Sequence, residues 1–414
     1  MSRVDELIAE KCPNGVPFKA IADVAQTIAG LSGKTKADFS DGNARFVTYM
    51  NIFRNLAVDQ TSPDFVSIKS GERQNQLHEG DVLFTGSSES LDEVGMSSVV
   101  ESEPQEPLYL NSFCFALRFH DETHMTAGFS KYLFRSEVVR KQIRATASGV
   151  TRINIAKRRF LKIRIPVPPV EVQREIVGIL DQFTRLEAEL EAELEARRLQ
   201  YAYYRRLILQ RVEAGPVSLA DLGKWQGGIT PSKSNPSYWT SGDTPWLASM
   251  DVSDESTDEI RGRVTDLALE ETSLKIVPSP SVAVVMRSNI LRRRLPIGLI
   301  SVDTTVNQDM RALIPDDGVD AEYVFQALRA DSEDIRSACV RTDGSMAAVR
   351  SANFFAWKIP LPSLAEQRRI AAKLRTFDVL VSDLSVGLPA ELAARRNQYE
   401  YYRDKLLIFE EAPA

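Results

Sequence analysis

The chain has 414 residues, of which 43% are hydrophobic, enough for two to four domains with cores of their own. A formal net charge of −6 excludes a chain that is basic throughout, so any contact with nucleic acid must be local. No stretch approaches the roughly 18 to 20 apolar residues of a membrane span. Cys12, Cys114 and Cys339 form neither a disulfide framework nor a zinc pattern. We expect a cytoplasmic protein that does not contact a membrane.

The predicted elements, taken in chain order, fall into five segments. Short apolar runs separated by turn signals predict strands, as at Gly80–Phe84 and Ser281–Val285. A helical stretch from Phe129 to Arg144 lies near the end of the first mixed segment, so we expect an α+β fold there. The segments are an N-terminal segment without a signal-peptide apolar region (1–16), a mixed segment (17–165), a helical region (166–215), a second mixed segment (216–358) and a second helical region (359–414).

The second half of the chain repeats the first. Ile165-Pro166-Val167-Pro168 returns 194 residues later as Ile359-Pro360-Leu361-Pro362. Gln200-Tyr201-x-Tyr203-Tyr204-Arg205 returns 198 residues later, so the second copy has four extra residues. Weaker matches run through both mixed segments with a drifting offset, which indicates insertions in loops between equivalent elements. These matches include Gly30 with Gly228, Val82 with Val282, Asn111 with Asn307, and Leu117 with Leu313. The two mixed segments are therefore predicted to have similar folds.

Each helical region follows a Pro-x-Pro break and carries an apolar stripe at helical spacing. Two such helices can pair antiparallel with pseudo-twofold symmetry, like a coiled coil. Gly387 and Pro389 predict an interruption in the second helix. The stripe residues predicted to form the spacer or to dock partners are Leu190, Leu194, Tyr201, Tyr204, Leu392, Tyr399 and Tyr402.

Taken together, the duplicated motifs resemble the specificity subunit of type I restriction–modification enzymes. The residues that carry the resemblance are Ile-Pro-x-Pro, the Glu366-Gln367-Arg368 element and Gln-Tyr-x-Tyr-Tyr-Arg, two of them present twice. The first copy departs from the pattern at Val172, where Glu366 stands in the second. The likeness covers essentially the full length.

This resemblance implies a subunit that reads DNA and has no catalytic residues. Each of two target-recognition domains would read one half of a bipartite site in double-stranded DNA, and the helices would hold the domains apart. The implied partners are two methyltransferase (modification) subunits and restriction/translocase subunits. No cofactor or metal is expected on this chain. S-adenosylmethionine is expected on the modification subunits and ATP with Mg²⁺ on the restriction subunits.

A tandem tetrapeptide in the first helix suggests how the spacing is set. Glu-Ala-Glu-Leu occurs twice between Glu187 and Leu194. Four residues lengthen a helix by about 6 Å and turn it by a net 40° or so. One DNA base pair turns by roughly 34–36°. The hypothesis is that each tetrapeptide adds one base pair to the gap between the half-sites. The plainer interpretation is an acidic solvated face with an apolar seam.

Basic residues concentrate just before the first Ile-Pro-x-Pro break. Between Lys131 and Arg164 there are eleven basic residues and a single acidic one, Glu137. Because Arg and loop N–H groups position a duplex through its phosphates, this stretch predicts DNA contact. Polar loops at the domain starts and after strands add side chains that can pair with base edges. The predicted DNA-binding residues are Lys34, Lys36, Ser87, Arg152, Lys157, Arg158, Lys233, Arg287, Asn289 and Arg341.

Two other classes of function remain as alternatives. A coiled-coil adaptor that bridges proteins would have the helices but would leave the basic stretch unexplained. An autonomous methyltransferase would need a cofactor motif, and Asn235-Pro236-Ser237-Tyr238 follows no Gly-rich one. Gly33-Lys34-Thr35 lacks the upstream glycine of a phosphate-binding loop. His120 and His124 do not form a zinc-protease pattern.

Overall fold

In the computed structural model of the chain, residues 3–252, 260–382 and 387–413 are described, without the side chains of residues 381 and 382. The described residues have an α+β fold, as predicted. They divide into two compact units. Unit 1 comprises Met1–Glu189 together with Ala394–Ala414, and unit 2 comprises Leu190–Ala393. None of the described helices combines the length and apolarity needed to cross a membrane.

The elements alternate between short strands and short helices, apart from the long helices that follow each Pro-x-Pro break. The helices are α1 (Arg3–Lys11), α2 (Ile21–Val24), α3 (Tyr49–Arg54), α4 (Ala127–Leu133), α5 (Glu137–Thr146), α6 (Lys157–Phe160), α7 (Val170–Gln210), α8 (Asp266–Glu271), α9 (Ala321–Ala330), α10 (Ser332–Cys339), α11 (Ser351–Phe355), α12 (Leu364–Ser382) and α13 (Gly387–Leu406). The strands are β1 (Phe18–Ala20), β2 (Ala25–Ala29), β3 (Ala44–Val47), β4 (Phe65–Val66), β5 (Val82–Thr85), β6 (Ser87–Ser88), β7 (Ser97–Val99), β8 (Leu108–Leu110), β9 (Cys114–Phe119), β10 (Ala147–Ser148), β11 (Ile153–Ile155), β12 (Arg164–Pro166), β13 (Pro216–Ser218), β14 (Gly223–Gly227), β15 (Thr244–Leu247), β16 (Gly262–Val264), β17 (Ser281–Val285), β18 (Ile297–Ile300), β19 (Thr305–Val306), β20 (Met310–Pro315), β21 (Val340–Arg341), β22 (Ala348–Val349) and β23 (Lys358–Pro360).

The internal repeat is confirmed at the level of strand order. The central sheet of unit 1 has the order β2-β9-β5-β7, and that of unit 2 has β14-β20-β17-β18. A second sheet, β4-β3-β8 or β16-β15-β19, follows the same plan, with one parallel pair in each. Val82 pairs with Leu117 as Val282 pairs with Leu313, so the sequence matches at these positions lie in the same register.

Two of the matched residues are glycines for the same steric reason. A Cβ atom on Gly30 would lie 2.1 Å from the carbonyl oxygen of Asn111. One on Gly228 would lie 1.6 Å from the carbonyl oxygen of Val306. Only glycine permits this approach of two backbone segments. In each unit the chain that leaves the central sheet therefore passes directly against the end of a strand of the second sheet, β8 or β19.

The glutamine that follows each Ile-Pro-x-Pro motif hydrogen-bonds both to the motif and to the mixed domain. In unit 1 the buried Gln173 donates to the carbonyl oxygen of Pro168 (2.8 Å) and accepts from the N–H of Thr126 (2.9 Å). In unit 2 the buried Gln367 donates to Pro362 (2.8 Å) and accepts from the N–H that precedes α9 (2.8 Å). Satisfying buried backbone groups in this way joins each long helix to its mixed domain.

Within each unit, a segment of α7 packs antiparallel against a segment from the second helical region. In unit 1, Phe183 stacks on Tyr402 with ring centroids 5.4 Å apart, while Glu187 pairs with Arg396 at 2.7 Å. The residue numbers rise along one helix as they fall along the other, so the pair is antiparallel.

The helix pair in unit 2 has the same arrangement. Tyr201 stacks on Phe377 at 5.5 Å, and farther along α7 Ile208 lines one cavity with Ile370. At the predicted interruption of the second helix, Gly387 begins α13 with a left-handed φ of +68°, which a continuous helix does not contain.

Unit 1 is assembled from two separate stretches of chain. Val16 donates to the carbonyl oxygen of Glu410 (2.8 Å) and accepts from the N–H of Ala412 (2.9 Å). In unit 2 the corresponding connection is continuous, because α7 runs directly into β13. The final residues of the described chain thus take the place in unit 1 that the end of α7 takes in unit 2.

One predicted element differs from the structure. The helical stretch from Phe129 to Arg144 is two helices, α4 and α5, interrupted around Ser136. The Ser136 hydroxyl donates to the carbonyl oxygen of Leu133 (2.7 Å), and Phe134 is buried in the interruption. A serine side chain that bonds a nearby carbonyl competes with helix continuation.

Candidate nucleic-acid interface

The same backbone frame occurs in both units, where a β-hairpin meets the end of a central strand. In unit 1 the Gly86 N–H donates to Phe113 (3.1 Å), and the Gly86 carbonyl accepts from Ile155 (3.1 Å). We call this region the hairpin junction. In unit 1 it consists of residues 86–88, 111–113 and 147–155, and in unit 2 of residues 286–289, 307–309 and 340–349.

The unit 2 junction repeats these two hydrogen bonds. The Met286 N–H donates to Asp309 (2.7 Å), and the Met286 carbonyl accepts from Val349 (2.8 Å). Phe113 and Asp309 therefore occupy equivalent positions, and so do Ser87 and Arg287, each one residue farther along. The frame is constant while its side chains differ. Arg287 is exposed, whereas Ser87, which was predicted to bind DNA, is buried.

In the unit 1 junction the hairpin contributes a guanidinium group. Nε of the exposed Arg152 donates to the hydroxyl of Ser87 (3.3 Å), and its guanidinium carbon lies 4.9 Å from the centre of the Phe113 ring. The hairpin turn depends on Gly149, which has φ +131° and whose Cβ would lie 2.1 Å from the carbonyl oxygen of Arg152. Val150 is 98% exposed at the tip. An arginine and exposed apolar groups are thus presented together.

In the unit 2 junction the guanidinium group comes from the strand end instead. Nε of Arg287 donates to Oδ1 of Asp309 (2.7 Å), and the Arg287 side chain is 55% exposed. The hairpin is fastened by Arg292, whose two terminal nitrogens donate to the carbonyl oxygens of Thr342 (3.0 Å) and Gly344 (2.9 Å). Arg292 therefore holds the loop, and Arg287 remains accessible.

The two other predicted residues of this junction lie on its surface. Asn289 is exposed at the start of a turn just after Arg287, where the Ser288 hydroxyl accepts from the N–H of Ile290. Arg341 is exposed at the end of β21. Arg287 and Arg341 both pair with Ala348, and Asn289 lies two residues after Arg287, so the structure gathers three of the predicted residues at one place.

A basic surface adjoins the unit 1 junction. Lys157, Arg158 and Arg159 open α6, directly after β11, and all three are exposed. The ammonium group of Lys157 lies 5.3 Å from the Phe115 ring centre. The equivalent helix of unit 2, α11, begins Ser-Ala-Asn, so unit 1 offers more positive charge at this position.

The basic stretch from residue 131 to residue 164 offers less free charge than its composition indicates. Arg135 and Arg140 donate to four and two backbone carbonyl oxygens, and burial lowers the pKa of each to about 10. Lys131, Arg144 and Arg164 each form ion pairs within unit 1. Five of the eleven basic residues are thus structural, and the expectation of a uniformly basic surface is corrected accordingly.

The two lysines predicted at the start of unit 1 differ in their surroundings. The side chain of Lys34 is only 5% exposed, pairs with Glu72 at 2.6 Å and donates to the carbonyl oxygen of Ser67. The hydrogen bond from Lys34 is the largest cause that lowers the pKa of Glu72 to about 2. Lys34 is therefore occupied within its domain. Lys36 and, in unit 2, Lys233 are exposed.

The helix residues predicted for spacing or docking divide into inward and outward sets. Tyr201 is buried and donates to the carbonyl oxygen of Leu374 (2.8 Å), and burial raises its pKa to about 12. Burial likewise raises the pKa of Tyr399 to about 12. Tyr204 and Tyr402 are 45% and 37% exposed. The remaining residues are Leu194 and Leu392, which are buried, and Leu190, which is half-buried.

Comparison with known proteins gives the family. The family described as "type I restriction modification DNA specificity domain" matches residues 13–196 and 212–394, once in each half of the chain. The chain belongs to this family.

Relatives within the type I specificity family agree with the assignment. A type I restriction enzyme EcoR124I/EcoR124II specificity subunit from Escherichia coli is 42% identical over 256 residues, which are 60% of this chain and 63% of the relative. The MjaIX specificity subunit of Methanocaldococcus jannaschii is 30% identical over 171 residues, 40% of this chain and 38% of its own. The chain thus matches less than two thirds of the length of either relative.

A solved structure supports the fold. It comes from work on complex assembly and conformational transition of the type I R-M system, and it covers 95% of this chain and 98% of its own with a TM-score of 0.65. The sequence identity is 18%. The resemblance inferred from the duplicated motifs is confirmed by the family match.

Three residues of the hairpin junctions were not predicted from the sequence of this type I specificity chain. Phe113, Asp309 and Met346 line the junctions, yet only Asp309 is polar and none belongs to a basic run. The available signal was the weak match of Asn111 with Asn307. Phe113 and Asp309 each follow two residues later, so the match predicts that they occupy equivalent positions. Among the described residues no cluster of His, Cys, Asp or Glu is arranged to hold a metal ion.

Proposed function

We propose that this chain is the DNA specificity subunit of a type I restriction–modification system, with unit 1 and unit 2 each reading one half of a bipartite site. The observation that carries the proposal is the repeated hairpin junction. One backbone frame presents Ser87, Phe113 and Arg152 in unit 1 and Arg287 and Asp309 in unit 2. Two domains that share a backbone fold but expose different side chains suit a DNA site whose halves differ in sequence.

In this proposal the chain itself is not an enzyme and binds no cofactor. Two modification subunits would bring S-adenosylmethionine and methylate the target, and restriction subunits would bring ATP and Mg²⁺, in the cytoplasm. The exposed Tyr204 and Tyr402 of the helix pairs are the residues we propose for docking partners. A coiled-coil adaptor that binds no DNA is not favoured, because both halves of the chain match a DNA specificity domain.

The proposed contacts with DNA are of two kinds. The exposed Lys36, Lys157, Arg158 and Lys233 would bind phosphates and fix the register of the duplex. The exposed junction residues Arg152, Arg287, Asn289 and Arg341 would face base edges, and the buried Ser87 would orient Arg152. The acidic charge elsewhere on the chain restricts DNA to these surfaces.

The experiment that tests the function is sequencing of methylated adenines in cells that express this chain with its modification subunits. The expected result is methylation at a single bipartite site with two half-sites and a constant gap. Cells with the modification subunits alone are the control. Methylation that does not change when this chain is absent would contradict the proposal.

The spacing hypothesis has its own test. Insertion of a third Glu-Ala-Glu-Leu after Leu194 adds about 6 Å and a net 40° or so to α7. We expect methylation to move to a site whose gap is one base pair longer, with both half-sites unchanged. Insertion of four residues in an exposed loop, between Gln105 and Glu106, is the control. An unchanged gap would reject the tetrapeptide as the measure of spacing.

A further inference from the structure

The two junctions hold an arginine in the same manner although different segments supply it. Arg152 comes from the hairpin of unit 1, and Arg287 comes from the strand end of unit 2. In both, Nε is the atom that bonds within the unit, to Ser87 at 3.3 Å or to Asp309 at 2.7 Å. The guanidinium group is oriented by this bond in each case.

Neither terminal nitrogen of Arg152 or of Arg287 has a hydrogen-bond partner among the residues that the structure describes. The two terminal nitrogens of a guanidinium group form a planar fork that fits a pair of acceptors. Each junction therefore exposes an oriented, unsatisfied fork. Arg292, nearby in unit 2, lacks this feature, because both of its terminal nitrogens donate to backbone carbonyl oxygens.

The anchoring residue occupies an equivalent position in the two units and differs in chemistry. In unit 1 it is Phe113, whose ring lies 4.9 Å from the Arg152 guanidinium carbon and is 58% exposed. In unit 2 it is Asp309, which pairs with Arg287. A ring face and a carboxylate both orient a guanidinium group through a planar contact. Phe113 and Asp309 are thus positioning residues for the two forks.

Two acceptor pairs on DNA suit such a fork. One is the O6/N7 edge of guanine in the major groove, and the other is a pair of phosphate oxygens. A phosphate contact carries no sequence information and requires no fixed orientation. Orientation costs conformational freedom before DNA arrives, and it improves discrimination between bases, so the anchored arrangement favours guanine.

We infer that Arg152 and Arg287 each bind the O6/N7 edge of one guanine, Arg152 in the half-site read by unit 1 and Arg287 in the half-site read by unit 2. The inference rests on the proposed function and deepens it. It requires that each half-site contain at least one G·C pair. It also separates these two arginines from Lys157 and Arg158, which lie on the exposed basic helix and bind phosphates.

The test uses the complex of this chain with its modification subunits and a DNA library in which each position of the site is varied. For the unaltered complex we expect a roughly 10- to 100-fold preference for guanine at one position of each half-site. Arg152→Ala should abolish the preference at one position of one half-site only. Arg287→Ala should do so at one position of the other half-site.

Conservative variants distinguish reading from charge. Arg152→Lys and Arg287→Lys keep the positive charge and lose the fork, so they should relax the same single positions as the alanine variants. Arg158→Ala is the matched control, and it should weaken binding to all sequences equally and lower the salt dependence. Phe113→Leu should relax the Arg152 position in part and add nothing in an Arg152→Ala background.

Three results would overturn the inference. One is a half-site without a G·C pair. Another is that the alanine variants weaken binding to all sequences equally and the lysine variants restore it, which would mean that the arginines contact phosphates. The third is unchanged discrimination in Arg152→Ala or Arg287→Ala with the methylation rate retained. Failure of the proposed function itself has a different signature, because the unaltered complex would then show no preference at any position.

Discussion

Unit 1 and unit 2 share strand order, register and backbone frame, yet they differ in the side chains of the hairpin junction. At the hairpin junction, unit 1 places Arg152 on Phe113, and unit 2 places Arg287 on Asp309. A frame held by backbone hydrogen bonds thus keeps its shape while its side chains change. A protein that must read two different sequences with one architecture has this requirement.

The helix pairs differ in a buried polar contact as well. In unit 2, Asp378 accepts from Arg205 (2.8 Å) and pairs with Arg329 (3.1 Å). At the equivalent position unit 1 has Thr184, whose hydroxyl donates to the carbonyl oxygen of Leu180 (3.0 Å). Arg403, the counterpart of Arg205, pairs with Asp404 instead (3.0 Å). The ion pair that joins the two helices of unit 2 therefore has a local substitute in unit 1.

The largest expected effect concerns the way unit 1 is assembled from two stretches of chain. Leu407, in the returning stretch, and Leu209, its counterpart at the end of α7, are 2% and 5% exposed. We expect Leu407→Ala to destabilise unit 1, and Leu209→Ala to destabilise unit 2, by about 2–5 kcal/mol each. Hydrogen exchange of peptides from each unit measures the two effects separately. A loss below about 1 kcal/mol for Leu407→Ala alone would show that the returning stretch is only loosely held.

A smaller effect is expected at the differing polar contact. Asp378→Asn leaves the Arg205 side chain, which is 8% exposed, without its carboxylate. Breaking a buried pair by removing one partner costs about 3 kcal/mol. Thr184→Val at the equivalent place removes the neutral hydrogen bonds of the hydroxyl to Leu180 and Tyr132 and should cost about 1 kcal/mol. Urea unfolding of both variants tests the ranking, and equal losses would mean that Asp378 contributes no more than Thr184.

The smallest effect is a dependence on pH at the Lys34–Glu72 pair of unit 1. The pKa of Glu72 is lowered from 4.5 to about 2, chiefly by the hydrogen bond from Lys34. A carboxyl group whose folded-state pKa is depressed stabilises the fold above its ordinary pKa, and this contribution is lost as the pH falls. Hydrogen exchange around residues 67–72 should therefore be faster in Glu72→Gln at neutral pH, and the difference should shrink between pH 4.5 and about 2. Lys36→Ala is the control, with no such pH dependence.

The periodic and repeated features of the fold could be predicted from the sequence. The apolar stripe of α7 predicts a long helix because packing of one face requires helical spacing. The interruption at Gly387 follows from glycine and proline chemistry, which is local. The repeat predicts two similar domains because equal patterns of apolar residues build equal cores. Each of these features depends on residues that are adjacent in the sequence or on the spacing of apolar residues, and both can be read from the sequence.

The division of the basic residues could not be predicted in the same way. Arg135 and Arg158 look alike in the sequence, but Arg135 donates to four backbone carbonyl oxygens and Arg158 is exposed. The partners of Arg135 lie in segments 38 to 83 residues away. Only the folded chain determines which positive charges remain for a ligand.

What the sequence alone determined about this protein is its duplicated α+β architecture, its paired helices and its family, because each is written in periodicity and in motifs of adjacent residues. Tertiary structure decided the rest. It brought Ser87, Phe113 and Arg152 together from three separate segments, and it assigned unit 1 a second stretch of chain. Contacts between distant segments depend on how the sheets and loops pack, and no local pattern of residues specifies them.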